Sequence, residues 1–69
     1  MFYAVFTKEG PFAQQRITES IRWEFDLREY TPDEIEQAKQ EGSKFAHLFE
    51  EKEDEYGCTY YEFVTSEIL

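Results

Sequence analysis

The chain has 69 residues, of which 41% are hydrophobic and 19% aromatic, and it carries a formal net charge of −9. A chain of this length forms one domain, residues 1–69. It buries only about 60% of its unfolded surface, so large aromatic side chains are needed to close a core. Because phosphate binding depends on Lys and Arg, the acidic composition argues against nucleic acid and anionic membranes as direct ligands. It is compatible with a basic protein partner, with solubility, or with both.

Cysteine content and hydropathy predict the cellular location of the protein. Cys58 is the only cysteine, and a lone thiol fits a reducing intracellular compartment. The apolar N-terminal run ends at Thr7 and Lys8 without the features of a signal peptide, and no stretch approaches the ~20 apolar residues of a membrane span. We therefore expect a cytoplasmic protein that does not enter a membrane.

The N-terminal half predicts two strands. Phe2–Lys8 has apolar residues on both alternating sides, which predicts a strand buried on two faces. Residues 12–19 are ambiguous between strand, loop and helix. From Ile17 to Arg28 apolar residues alternate with polar and charged ones, which predicts a second strand that pairs with the first as an antiparallel hairpin. The apolar side of this strand carries Trp23 and Phe25, which we expect to be buried.

A long helix is predicted from Thr31 to about Tyr56. Thr31 is an N-cap residue, a proline occupies the first helical position, and Glu34 completes a capping box. Apolar residues then recur at spacings of three and four as far as Phe49. Gly42 lies on this apolar stripe, so the helix is expected either to approach the sheet closely or to kink there. A break into two helices is the alternative.

The last predicted element is a strand from Cys58 to Ser66, after a helix stop at Gly57. Glu62 belongs in water, so Tyr61 and Phe63 are expected to point inward. The predicted fold is a small α+β domain with the order β-β-α-β, a three-stranded antiparallel sheet and one helix packed on one face.

Five carboxylates crowd the predicted C-terminal end of this helix. The macrodipole favours cations there, and each misplaced negative charge costs roughly 0.3–1 kcal/mol. Residues 33–55 hold nine acidic and three basic residues, so the acidity is concentrated on the helix. The cluster is either a solvated helix end or the surface that binds a basic protein partner. Its members are Glu50, Glu51, Glu53, Asp54 and Glu55.

A second candidate surface is aromatic. One helix covers only one face of a sheet, and an exposed aromatic face on the other side is typical of a protein interface or a homodimer contact. The alternative is that the Ile17–Leu27 strand or the loop at Phe12 covers this face. The residues expected on it are Tyr3, Val5, Tyr60 and Val64.

No pattern in the chain predicts a catalytic, metal or cofactor site. The acidic run lacks the glycine-containing spacing of a calcium loop, and so short a chain has little room for a glycosidase cleft. His47, the only histidine, is expected at the boundary of the apolar stripe, where its ring packs rather than acts as a base. Cys58 has no second Cys or His near it in sequence and is expected to be buried or half-buried. We therefore expect no enzyme activity, no metal and no cofactor.

These features together favour a protein-binding function. Small size, acidity and aromatic content suggest an inhibitor or decoy of the kind that phages encode against host defence or DNA-handling proteins. Its carboxylates take the place of nucleic-acid phosphates on a basic surface. This inference rests on size and charge, not on a shared motif. The alternative is a self-associating or adaptor module that binds through the aromatic face and uses charge for solubility.

The start of the helix can be tested by replacing Thr31 with Ala. The change removes the capping hydroxyl, and we expect it to lower the free energy of unfolding by roughly 0.5–2 kcal/mol. Thermal and urea unfolding of Thr31→Ala and the parent measure the difference. Coincident transitions would show that Thr31 does not cap a helix.

Overall fold

Five strands, one α-helix and one 3₁₀-helix make up the fold in the computed structural model, which describes all of residues 1–69. The strands join one antiparallel sheet. The α+β class is confirmed, whereas the three-stranded sheet with a single helix is wrong. In chain order the elements are β1 (Phe2–Thr7), β2 (Arg16–Thr18), the 3₁₀-helix (Glu19–Phe25), β3 (Arg28–Glu29), α1 (Pro32–Gln40), β4 (Phe45–Glu53) and β5 (Thr59–Ile68). The strand order across the sheet is β2-β5-β4-β1-β3.

The central strand of the sheet is β4, which the sequence pattern wrongly assigned to a helix. It pairs with β1 from Phe45 to Glu50 and with β5 along its whole length. All four residues from Ala46 to Phe49 are buried, because alternate side chains face the two sides of the sheet and both sides are covered. A strand buried on both faces has no polar alternation, and periodicity alone cannot distinguish so short an apolar run from a buried helix.

Helix α1 is short but begins where predicted. Thr31 has extended φ and ψ angles of −126° and 158°, and its hydroxyl accepts a hydrogen bond from the Glu34 N–H at 3.3 Å. The helix ends at Gln40, shortly before Gly42, whose φ of +93° is left-handed. Because side chains strain that conformation, the glycine is what lets the chain leave the helix and enter β4. The predicted helix from Thr31 to Tyr56 is therefore wrong beyond Gln40, and a strand follows the break instead of a second helix.

The predicted strand from Ile17 to Arg28 is also wrong. Only its two ends are extended: β2 pairs with β5, and β3 pairs with β1. The expected hairpin between the two N-terminal strands therefore does not form. The residues between β2 and β3 make the 3₁₀-helix, after which Asp26 reverses the chain in the left-handed region at a φ of 52°. Trp23 lies on the outside of this helix and is 75% exposed, contrary to expectation.

One face of the sheet carries the main hydrophobic core. The segment between β1 and β3 folds over this face, and its half-buried aromatic rings meet those of the sheet edge to face. Tyr61 and Phe63 contribute to this core, as predicted, and Tyr61 is only 2% exposed. The buried members are Val5, Ile17, Leu27, Phe49 and Tyr61, and the residues packed against them are Tyr3, Phe12, Ile21, Phe25 and Phe63.

The opposite face carries a smaller apolar layer. Strands β1 and β4 present Ala4, Ala46 and Leu48 there, all of them buried. Ala38, on α1, is also fully buried. Three of these four side chains are methyl groups, so this layer buries less apolar surface than the aromatic core on the other face.

Arg28 ties α1 to this second face. Its guanidinium lies 5.6 Å from the centroid of the Phe6 ring. One of its nitrogens donates to Asp26 at 3.0 Å and to Glu41 at 2.9 Å, and another lies 3.8 Å from Glu34. The hydrogen bonds to Glu41 and Asp26 raise the pKa of Arg28. A single arginine thus joins the turn before β3 to both ends of α1.

The two-sided burial of β4 predicts an unequal effect of two similar substitutions. Phe49 is fully buried and Phe2 is 44% exposed. We expect Phe49→Ala to lower the free energy of unfolding by about 3–5 kcal/mol and Phe2→Ala to have a clearly smaller effect. Urea unfolding of both variants measures this. Equal losses would contradict the placement of Phe49 in the core.

Candidate functional site

The predicted acidic cluster lies in the β4–β5 hairpin and not at the end of a helix. Glu50, Glu51 and Glu53 belong to β4, and Asp54 and Glu55 belong to the turn that leads to β5. No helix macrodipole acts on them, so the expected penalty at a helix C-terminus does not apply. Because adjacent strand residues point to opposite faces, Glu50 and Glu51 are directed to different sides of the sheet.

Two of the five carboxylates are used within the fold. Glu50 lies 3.7 Å from Lys52, whose amino group also donates to Glu62 on β5 at 3.0 Å. Asp54 accepts hydrogen bonds from the backbone N–H groups of Tyr56 and Cys58, both at 2.9 Å. Asp54 therefore shapes the hairpin turn by the usual Asx geometry. Neither carboxylate is free to bind a partner without the loss of an internal contact.

The other three carboxylates are exposed. Glu51, Glu53 and Glu55 have no salt-bridge partner, and Tyr56 beside them in the turn is 81% exposed. Strand β1 pairs with β4 only as far as Glu50, so this end of the hairpin extends beyond β1. We call this group, Glu51, Glu53, Glu55 and Tyr56, the hairpin end. It combines carboxylates that have no ion-pair partner with an exposed aromatic ring. Burial, and then the nearby charge of the Glu51 carboxylate, raise the pKa of Tyr3.

A polar cluster fastens the 3₁₀-helix to the sheet. The Tyr61 hydroxyl donates to Glu19 at 2.6 Å and accepts from Arg22 at 2.8 Å, and Arg22 lies 3.2 Å from the other oxygen of Glu19. The Arg22 guanidinium also lies 5.3 Å from the ring centroids of Tyr3 and Tyr61. Burial, and then the Glu19 carboxylate, raise the pKa of Tyr61. Tyr61 lies 42 residues after Glu19 in sequence, so the sequence pattern alone did not predict the cluster.

The four residues of the predicted aromatic face lie in different parts of the structure. Tyr3 and Val5 face the main core, where Val5 is 4% exposed and Tyr3 packs edge to face on Tyr61 at 5.0 Å. Tyr60 is directed to the other side of β5 and lies beneath the Arg16 guanidinium at 3.8 Å. Val64 is 50% exposed, on a part of β5 that β2 does not cover. The four residues do not form one surface, because the segment between β1 and β3 covers the face that was expected to be open.

A cavity of about 410 Å³ opens beside the hairpin turn. It lies between β2, the first residues of the 3₁₀-helix and the start of β5. Most of the residues that line it are polar and bring hydroxyl, carboxylate and guanidinium groups, although the larger part of the lining surface is apolar. Cys58 lines it and is exposed, so the expectation of a buried or half-buried cysteine is wrong. No histidine lines the cavity, which gives the thiol no neighbouring base.

The only histidine occupies an unexpected position. His47 is 1% exposed, at the centre of the sheet rather than at a boundary. Its Nε2 lies 2.8 Å from the Thr7 hydroxyl and its Nδ1 2.7 Å from the Ser66 hydroxyl, on the two neighbouring strands. Phe12 stacks on the ring at 4.7 Å. Burial lowers the pKa of His47. Both ring nitrogens are engaged within the fold, so this residue stabilises the sheet and has no group free for catalysis.

Neither a metal site nor a known relative defines a functional class for this protein. No cluster of three or more potential metal ligands occurs in the structure, and neither helix is long and apolar enough to cross a membrane. Comparison with protein-family models, with curated proteins and with solved structures finds no match to this chain.

The buried histidine predicts a pH dependence of stability. The pKa of His47 is lower in the folded state than the ordinary value of about 6.5 in the unfolded chain. Below about pH 6.5 the unfolded chain therefore binds more protons, and the free energy of unfolding falls as the pH falls towards the folded-state pKa.

We expect this slope to be absent in His47→Gln, which cannot titrate in that range. Urea unfolding of both proteins across the mildly acidic range measures it. The exposed carboxylates are common to the two proteins, so their contribution cancels in the comparison. Parallel pH profiles would contradict the burial of a neutral histidine.

Proposed function

We propose that this protein binds a basic surface on another protein and acts as an inhibitor or decoy, with its carboxylates in the positions that nucleic-acid phosphates would occupy. The single observation that carries the proposal is the hairpin end. There the exposed carboxylates of Glu51, Glu53 and Glu55, none of them in an ion pair, share one hairpin with the exposed ring of Tyr56.

The spacing of the carboxylates suits this role. Glu51 and Glu53 are alternate residues of one strand, so they share a face and their backbones are about 7 Å apart. That separation is close to the distance between neighbouring phosphates of one nucleic-acid strand. A rigid strand presents these charges at fixed positions, whereas a flexible acidic tail does not. The regular backbone of β4 therefore sets a fixed spacing between the carboxylates of Glu51 and Glu53.

Tyr56 supplies a contact that charge alone lacks. Exposed aromatic residues are enriched at the centres of protein interfaces, where they account for a large share of binding energy. An exposed aromatic ring in the same hairpin as exposed carboxylates suits a partner rich in arginine, because a guanidinium can stack on the ring and pair with a carboxylate. The partner expected at the hairpin end is therefore a basic protein surface with exposed arginines.

Self-association is the second candidate function. Tyr3 and Val5 cannot form the contact between two copies, because both residues pack in the main core. What remains is the outer edge of β5 from Val64 to Ile68, which no strand pairs and where Ile68 is 83% exposed. Sedimentation over a wide concentration range separates this candidate from the first, which does not require a dimer.

Charge reversal at the hairpin end tests the main proposal. The basic partner is first captured from the native host with the immobilised parent protein. We then expect the double variant Glu53→Lys and Glu55→Lys to associate with it about tenfold more slowly or worse, with a weaker dependence on salt, because complementary charge accelerates encounter. Asp54 is left unchanged, since its loss would disrupt the turn.

The matched control is Asp33→Lys with Glu36→Lys, which makes the same change in net charge on the exposed side of α1. This control should keep most of the association rate. If it slows association as much as the hairpin variant does, only net charge matters and the hairpin end is not the site. A captured partner that still binds duplex DNA at saturating parent protein would contradict the decoy mechanism.

A further inference from the structure

The pattern of ion pairs leaves one arginine without a carboxylate partner. The chain has 16 acidic residues and 7 Lys and Arg residues in total. Arg22 pairs with Glu19, and Arg28 pairs with three carboxylates. Arg16 has no such partner, although acidic residues are more than twice as frequent as basic ones. An unpaired guanidinium in so acidic a chain is available to an external anion.

Arg16 also lines the single cavity. Its guanidinium stacks on the Tyr60 ring at 3.8 Å, which holds the plane of the group in place. Stacking covers one face of a guanidinium and leaves its edge, with the N–H donors, available. That edge matches the two oxygens of a carboxylate or a phosphate. The tyrosine therefore holds an anion-binding group in the lining of the cavity.

The rest of the lining suits a hydroxylated ligand. Thr18, Ser20 and Thr59 bring hydroxyl groups that can donate or accept. The two carboxylates in the lining are already engaged: Glu19 binds Tyr61 and Arg22, and Asp54 binds backbone amides. A volume of about 410 Å³ lies within the range of small-molecule sites.

We propose that this cavity binds a small hydroxylated oxyanion, with the Arg16 guanidinium on the oxyanion and the three hydroxyls on the body of the ligand. The anion is a phosphate monoester or a carboxylate. The site is independent of the hairpin end, since it uses different side chains and a ligand of opposite charge. Its test involves no protein partner, so the two proposals succeed or fail separately.

Cys58 provides a reporter for the test. It is the only cysteine, it is exposed, and it lines the cavity. Alkylation by iodoacetamide, followed by mass spectrometry, measures its accessibility. The probes are glucose 6-phosphate, gluconate and inorganic phosphate. We expect saturable protection of Cys58 by at least one probe. Protection by glucose 6-phosphate identifies a phosphate site, and protection by gluconate identifies a carboxylate site.

Substitution of Arg16 separates binding from a general salt effect. Arg16→Gln should weaken protection at least tenfold, and Arg16→Lys should restore part of it, because lysine keeps the charge but not the planar fork. Lys44→Gln is the matched control. It makes the same change in net charge just before β4, at the end of that strand opposite the hairpin turn, and we expect the probes to protect Cys58 in this variant as they do in the parent.

Amide chemical shifts provide the second measurement. Saturation by an effective probe should shift the N–H signals of Thr18, Ser20 and Thr59 and leave those of α1 unchanged. The proposal is overturned if no probe protects Cys58 or shifts these amides. It is equally overturned if Arg16→Gln and Lys44→Gln lose protection to the same extent.

Discussion

The two-sided burial of β4 is the constraint on which the rest of the structure depends. Its residues Ala46, His47, Leu48 and Phe49 are between 0% and 8% exposed, so both faces of the strand must be covered by other parts of the chain. In so short a protein each face receives only one covering segment. The stretch between β1 and β3 covers the aromatic side, and α1 covers the alanine side. Neither segment is held by its own hydrogen bonds alone.

Arginine side chains hold both covering segments in place. Arg22 joins the 3₁₀-helix to Tyr61 in the sheet. Arg28 pairs with Glu41 at the end of α1 and lies against the Phe6 ring of β1. Exposed ion pairs contribute little individually, but these two guanidinium groups also lie against aromatic rings, where packing adds to charge. The fold therefore uses two of its three arginines internally. Because the chain has 16 acidic and only 7 basic residues, a surplus of carboxylates is left on the surface.

The surplus has a definite location, and it meets the cavity at one end of the molecule. The hairpin turn separates the exposed carboxylates of Glu53 and Glu55 from a cavity whose lining includes the unpaired guanidinium of Arg16. An acidic surface and a candidate anion-binding group thus lie on either side of one short turn. Asp54 belongs to both, since it shapes the turn and lines the cavity. A change at Asp54 is for this reason a poor probe of either function, whereas Glu55 and Arg16 report on one each.

The sequence by itself determined the features that depend on local chemistry. The hydroxyl of Thr31 predicts the N-cap, and the alternation of residues predicts the strand at Phe2–Thr7. The need of Glu62 for water predicts that Tyr61 and Phe63 point inward. The acidity and the residues that carry it were also visible. Their geometry was not, because Glu50 to Glu55 have the same composition on a helix or on a hairpin.

Only the tertiary structure decided which apolar run became the central strand. Phe45 to Phe49 satisfies a helical spacing as well as a buried strand, and its backbone hydrogen bonds lie with β1 and β5, which are remote in sequence. The same holds for Arg16, Tyr60 and Cys58, which contacts between β2 and β5 bring around one cavity. Strand pairing is a non-local interaction, so no window of sequence contains the information that selects it.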